Sequence, residues 1–147
     1  MNKKIALYLW FGAITLSAIE TDAQPAEKVH RIGILSAASE VPQFFDALIQ
    51  QLRELGQVEG KNIVFERRYA AGDLDRLPTF AAELVKEPVD LIVAVTVPAV
   101  LAAKKASTTI PIVMFAVPDP VGIGLVDSLA RPGGNVTGLS SLGGRFE

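Results

Sequence analysis

Two short runs with no charged side chain, Leu91–Val95 and Ile112–Val117, constrain this chain more than anything else in it. Each is apolar on both alternating faces and rich in β-branched residues. That is the pattern of a strand buried on both sides, as in a parallel sheet. Parallel strands need a crossover, and the residues between the two runs supply one. Thr96 stands where a helix N-cap belongs, and Pro98 suits a first helical turn because its missing N–H costs nothing there. Residues 99–105 are mostly good helix formers, and Lys104 and Lys105 oppose the negative end of the helix dipole. Ser107, Thr108 and Thr109 form the connection. Pro111 precedes the second run, and Pro118-Asp119-Pro120 ends it. The unit is strand, helix, strand. Its two strand-to-helix loops, at Thr96 and at Asp119, are expected to open at the carboxyl edge of the sheet, where ligands bind in open α/β folds.

The same alternation runs through the rest of the chain. Arg31-Ile32-Gly33-Ile34-Leu35 is expected to be the first strand, followed by the loop of small residues Ser36-Ala37-Ala38-Ser39-Glu40. Small side chains there let a ligand reach the backbone, or simply make a tight turn; both readings of Ser36 stand at this point. Residues 42–55 form an expected helix with Phe44, Phe45, Leu48, Leu52 and Leu55 on its apolar stripe, stopped by Gly56. Residues 63–69 alternate apolar with charged side chains, as an edge strand does. Asp73 or Asp75 can cap a second helix whose stripe is Leu77, Phe80, Ala81, Leu84 and Val85. A short helix is expected at residues 125–130, then turn chemistry at Arg131-Pro132-Gly133-Gly134-Asn135, then a last short strand or linker from Val136. The sum is a doubly wound α/β layer with a parallel sheet.

The start of the chain reads differently. Lys3 and Lys4 precede an apolar stretch at residues 5–19, and Thr21-Asp22-Ala23 places small residues where a signal peptidase reads. Residues 1–23 are therefore expected to be an export signal cleaved after Ala23. The apolar stretch is short of the roughly 20 residues a bilayer demands.

Several chemistries are excluded by what is missing. With no cysteine, there is no disulfide, thiol nucleophile, thiolate metal site or cysteine-linked lipid. One histidine, His30, does not make a metal cluster. No glycine-rich dinucleotide or phosphate loop follows a strand, so no cofactor is expected. A formal net charge of −2 gives no support for nucleic acid as a partner. A Ser36–His30–Asp119 triad is conceivable, but no Gly-x-Ser-x-Gly elbow is present and no catalysis is expected.

Residues 31–36, the stretch Leu52-Arg53-Glu54-Leu55-Gly56 with Val58-Glu59-Gly60-Lys61-Asn62-Ile63, and Leu74-Asp75-Arg76-Leu77-Pro78 form the first part of a familiar series. It continues in Val89-Asp90-Leu91-Ile92-Val93, Ile110-Pro111-Ile112-Val113-Met114, Asp119-Pro120-Val121-Gly122 and residues 129–140. In this order they resemble a family of ABC-transporter substrate-binding proteins, similar to the tryptophan/tyrosine-type periplasmic binding proteins. The resemblance implies a type I periplasmic-binding-protein-like lobe, one of two that clamp a small solute. Some members bind aromatic amino acids. It implies ligand-facing loops at Ser36, at Thr96, Val97 and Pro98, and at Asp119. It also implies a periplasmic location and an ABC permease in the inner membrane as partner. Residues 24–140 are expected to form the N-terminal lobe and residues 141–147 the start of a hinge, with the second lobe absent. The alternatives are a periplasmic sensing module that feeds a signalling partner, and a secreted α/β enzyme.

Overall fold

A computed structural model of the protein describes residues 28–40 and 44–141. The expected export signal and the hinge residues beyond Ser141 lie outside the described residues. Five strands form one sheet in the order β2-β1-β3-β4-β5, all parallel: β1 (His30–Ser36), β2 (Ile63–Tyr69), β3 (Leu91–Val95), β4 (Ile112–Val117) and β5 (Val136–Ser140). Among the described residues three α-helices alternate with them: α1 (Phe44–Glu54), α2 (Leu77–Lys86) and α3 (Val97–Ala106). A single 3₁₀ turn, Leu74–Arg76, leads into α2, and Asp73 caps it by accepting from the Asp75 N–H at 3.2 Å.

Which helix covers which face follows from strand order. Parallel crossovers are right-handed, so reversing the direction of travel across the sheet reverses the covered face. The chain steps one way from β1 to β2, placing α1 on one face. It steps the other way from β2 to β3 and on to β4, placing α2 and α3 on the opposite face. The larger core fills that second face: Leu35, Ile92, Ala94, Ile112 and Met114 from the strands meet Leu77, Ala81, Leu84, Val100 and Ala103 from the helices. The α1 face carries a smaller cluster of Ile34, Ile63, Phe65 and Val93 around Phe45, whose ring meets Phe65 edge-on at 5.8 Å. Strand periodicity of two divides the residues between faces, so Ile34 and Leu35 are both fully buried yet belong to different cores.

Two sequence expectations need correction. Leu48 and Leu55, assigned to the apolar stripe of α1, are exposed, because α1 meets the sheet mainly through Phe45, with Ile49 and Leu52 half-buried behind it. No helix forms at residues 125–130. There the chain folds back on itself, with the Leu125 N–H donating to the Pro120 carbonyl and the Asp127 N–H to the Pro132 carbonyl, and Leu125 and Val126 join the larger core. Lys104 reaches beyond its own helix end and donates to the carbonyls of Gly124 and Leu125 at 3.3 and 2.9 Å. Of the two alternatives expected from Val136, residues 136–140 take the strand.

The charges of β2 are paired, as expected of an edge strand. Arg67 makes a two-pronged contact with Glu59 at 2.6 and 3.0 Å and lies over the Phe65 ring at 5.0 Å. On the other face Arg68 bonds Glu83 and Glu87 of the α2 region at 2.8 and 2.7 Å. Among the described residues no helix is long and apolar enough to cross a membrane.

Candidate functional site

In a sheet ordered 2-1-3-4-5, connections leave β1 and β3 in opposite directions, so a crevice opens between their carboxyl ends. That switch point is occupied by the loops after Ser36 and after Val95. Ser36 is in register with Val95, and Val95 with Phe115. Asp119 follows β4, the strand beside β3. The sequence-predicted residues Ser36, Thr96, Val97, Pro98 and Asp119 thus stand along one edge of three adjacent strands. His30 sits at the opposite end of β1, about 20 Å from Ser36 along an extended strand. A Ser36–His30–Asp119 triad does not assemble.

Each residue of the edge has a distinct local chemistry. Ser36 is fully buried, and its hydroxyl accepts from the Ala38 N–H at 3.1 Å, so it holds its own turn. Asp119 is exposed at φ 42°, and its Oδ1 accepts from the Gly122 N–H at 2.9 Å. Val97 and Pro98 are half-buried in the first turn of α3.

Thr96 departs furthest from expectation. Its φ of 77° and ψ of 161° fall in a region that glycine alone enters freely, and a β-branched residue is a pronounced outlier there. Its side chain makes no capping bond to α3, contrary to the capping role predicted from sequence. Thr96 Oγ1 is instead buried with no hydrogen-bond partner among the described residues. Strain of this kind costs on the order of 1–3 kcal/mol. An unpaired buried hydroxyl costs about 1–3 kcal/mol more. Both penalties fall on one residue at the switch point.

Thr96 is not alone. The other non-glycine residues with positive φ among those described are Ala71, Ala116 and Asp119, and all lie at the carboxyl edge or in the loops leaving it. Ala116 belongs to a bulge: Met114 pairs with Gly138 and Val117 with Ser140, so Phe115 and Ala116 together face Leu139. The Phe115 carbonyl accepts from the Thr96 N–H at 3.0 Å, which ties the bulge to the strained tip of β3. Gly138 makes the slip feasible, since a Cβ there would run into the backbone of Met114. Sequence reasoning missed Phe115, Ala116 and Ala71. Alanine carries no signature of a left-handed backbone, and the slip lies in a strand whose apolar run is continuous.

Tyr69, at the tip of β2, is in register with Ser36. Burial pushes its hydroxyl up from the usual range, while the Arg67 guanidinium pulls it back. No group of three or more potential metal ligands occurs among the described residues.

Comparison with known proteins agrees with the fold. The chain is 39% identical over 124 residues to a tyrosine-binding protein of Clostridioides difficile strain R20291, covering 82% of this chain and 36% of that protein. Its fold matches the ligand-free, open structure of a Clostridium difficile substrate-binding protein with adhesive properties, with TM-score 0.71 and 35% identity over 76% of this chain and 39% of that one. It also matches a Streptococcus structure in complex with L-Trp, with TM-score 0.67 and 31% identity over 77% of this chain and 39% of that one. The chain spans about two-fifths of the length of the relatives it matches, and its five-stranded parallel sheet corresponds to a single α/β lobe. The family described as ABC transporter substrate binding protein matches residues 32–143, most of the chain, and the protein belongs to that family.

Proposed function

We propose that this lobe supplies one wall of an extracytoplasmic solute site that feeds an ABC importer, with an amino acid of the aromatic class as solute. The observation that carries the reading is Thr96: a strained residue with an unpaired buried hydroxyl at the switch point of the sheet. Strain that local contacts do not explain is retained where it prepares a site. The names of two relatives, one tyrosine-binding and one solved with L-Trp, support the choice of solute class.

In this reading the solute carboxylate sits at the start of α3, where free N–H groups and the helix dipole favour an anion. The Thr96 hydroxyl gains there the partner it lacks in this structure. Asp119 keeps Oδ1 on Gly122 and offers its other oxygen to the solute ammonium, a charge-assisted bond. Ser36 acts by holding the turn that lines the crevice rather than through its own hydroxyl. No bond is made or broken; capture and release are the whole reaction. Residues 1–23 direct export and are removed after Ala23, residues 24–140 form the lobe, and residues 141–147 begin the crossing to a second lobe. Closure of the two lobes then presents the loaded protein to a membrane permease.

Titration calorimetry of the full-length protein with L-tyrosine and L-tryptophan tests this. Thr96→Val keeps the shape and the β-branch but removes the hydroxyl; affinity is expected to fall about tenfold, the worth of one buried hydrogen bond. Equal affinity in the two proteins would take Thr96 out of the site. Asp119→Ala with unchanged affinity would remove the ammonium assignment in the same way.

A further inference from the structure

We infer that Lys104 is a positioning residue for the solute ammonium: it clamps the turn that presents the Asp119 carboxylate. This assignment rests on the amino-acid reading above and deepens it. The turn runs from Asp119 to Val126. Pro120 is fully buried, and Leu125 and Val126 belong to the larger core, whereas residues 121–124 are exposed. Two of those four are glycines, and Gly124 takes φ 72°. Glycine leaves a chain many alternative conformations, so a turn of this composition has to be held by contacts from elsewhere.

Those contacts form one chain of hydrogen bonds. The Ile123 N–H donates to the Asp119 carbonyl at 3.2 Å, and the Leu125 and Val126 N–H groups donate to the Pro120 carbonyl at 2.9 and 3.2 Å. The carbonyls of Gly124 and Leu125 accept from outside the turn, from Lys104 Nζ at 3.3 and 2.9 Å. A helical side chain leans toward the N-terminus of its helix, and α3 begins at the switch point, so the Lys104 stem runs back toward the edge that carries the site. Complementing the helix dipole asks only for charge in the last turn, which Lys105 also supplies. Lys105 is exposed, whereas Lys104 is half-buried and bonded to a distant loop.

The carboxylate itself is seated by Gly122. The Gly122 N–H donates to Asp119 Oδ1 at 2.9 Å, and a Cβ on Gly122 would run into that carboxylate. The seat exists only while residues 119 and 122 keep their present separation, and Lys104 closes the turn on which that separation depends. A carboxylate already seated loses little freedom when it meets an ammonium; a loose one has to be ordered by the solute, which weakens binding. Lys104 acts through Asp119, so its removal should be felt only by a solute that carries the ammonium.

The test is calorimetry on the full-length protein with L-tyrosine and with des-amino-tyrosine, which keeps the ring and the carboxylate but lacks the ammonium. Lys104→Met keeps the stem and removes the donors; it is expected to weaken L-tyrosine about fivefold and to leave des-amino-tyrosine unchanged. Lys104→Arg, which restores donors for both carbonyls, is expected to recover most of that loss. Adding Lys104→Met to Asp119→Ala should weaken L-tyrosine no further, because the two residues act as one unit. Thermal unfolding establishes that each variant is folded; if the methionine variant is not, Lys104→Gln, which keeps a donor without the charge, decides on the same criterion. A folded Lys104→Met with the wild-type ratio of the two affinities overturns the role of Lys104. The Asp119 assignment then still stands if Asp119→Ala abolishes the preference for L-tyrosine. A wild type that binds the two solutes equally, or binds neither, overturns the ammonium site and the role of Lys104 with it.

Discussion

The two edges of the sheet solve the same geometric problem in different ways. Turns at either edge need residues with positive φ. At the amino edge, among the described residues, glycine fills every such position: Gly56 and Gly60 before β2, Gly133 before β5. At the carboxyl edge Gly72 and Gly124 do the same, yet Ala71, Thr96, Ala116 and Asp119 adopt positive φ without being glycine. Glycine enters this region freely, whereas other residues lose about 1–2 kcal/mol each. The amino edge is also clipped by side-chain amides, one closing its own turn and one bridging distant segments. Asn62 accepts from the Val58 N–H at 2.7 Å and donates to the Gly56 carbonyl at 3.0 Å; Asn135 donates to the carbonyls of Ser107 and Ile110 at 3.0 and 2.8 Å. One edge is therefore built for stability, and the other carries strain that its own contacts do not repay.

The largest effect is expected from unclipping the stable edge. Asn62 is buried, and Asn62→Ala leaves the Val58 N–H and the Gly56 carbonyl without it. A loss of about 2 kcal/mol is expected, read by urea unfolding with an unchanged m-value. Solute affinity should stay as it is. A drop in affinity comparable to that of Thr96→Val would mean that the two edges are not separable.

Next in size is relief of strain at the other edge. Thr96→Gly is expected to raise stability by about 1 kcal/mol, the strain released less the added freedom of the unfolded chain. It should lower solute affinity at the same time. Stability and binding moving together would break the contrast. A smaller, mirrored pair isolates the backbone alone. Gly56 has open space where a Cβ would go, so Gly56→Ala tests φ without a clash. It should cost about 1 kcal/mol, whereas Ala71→Gly should cost nothing or gain a few tenths. The thermal melt of Gly56→Ala is expected to fall, and that of Ala71→Gly to stay level or rise slightly.

Much of the fold was legible because burial dictates pattern. The runs Leu91–Val95 and Ile112–Val117 became β3 and β4 with those bounds, and residues 63–69 became an edge strand with paired charges. Gly56 ended α1 as its freedom allows. The α1 stripe was over-read, since periodicity shows which residues share a face but not how closely that face approaches the sheet. The placement of Ser36, Thr96 and Asp119 along one edge was legible through the rule for parallel sheets. Their local chemistry was not. Thr96 has the composition of an N-cap and the backbone of a glycine, and no local propensity anticipates a residue held against its preference. The bulge at Phe115 was hidden for a related reason: a slip of one residue inside a continuous apolar run leaves no polar residue out of place.

The smallest effect concerns acid, and it should again divide the edges. Asp90, just before β3, accepts from the Arg31 N–H at 2.9 Å and pairs with Lys28 at 3.3 Å. That backbone bond, then Lys28, holds its carboxyl below the usual aspartate range. Glu59, before β2, is held below the glutamate range chiefly by its hydrogen bonds to Arg67. A carboxyl with a lowered folded pKa binds fewer protons folded than unfolded, so stability rises with pH across the interval between the two values. The contribution is whole above the ordinary carboxylate range and disappears as pH falls through the lowered folded values. Both groups are well exposed, so solvent screening keeps the effect small. Asp90→Asn and Glu59→Gln should each flatten the acid limb of a melting-temperature profile slightly and leave its neutral plateau nearly unchanged. Because both carboxyls flank the amino edge, amide NMR shifts in that acid interval should move at Arg31 and Gly60 and stay still at Thr96 and Phe115. Movement of equal size at Thr96 would show that the strained edge is coupled to the clipped one through the strands, and the division between them would fail.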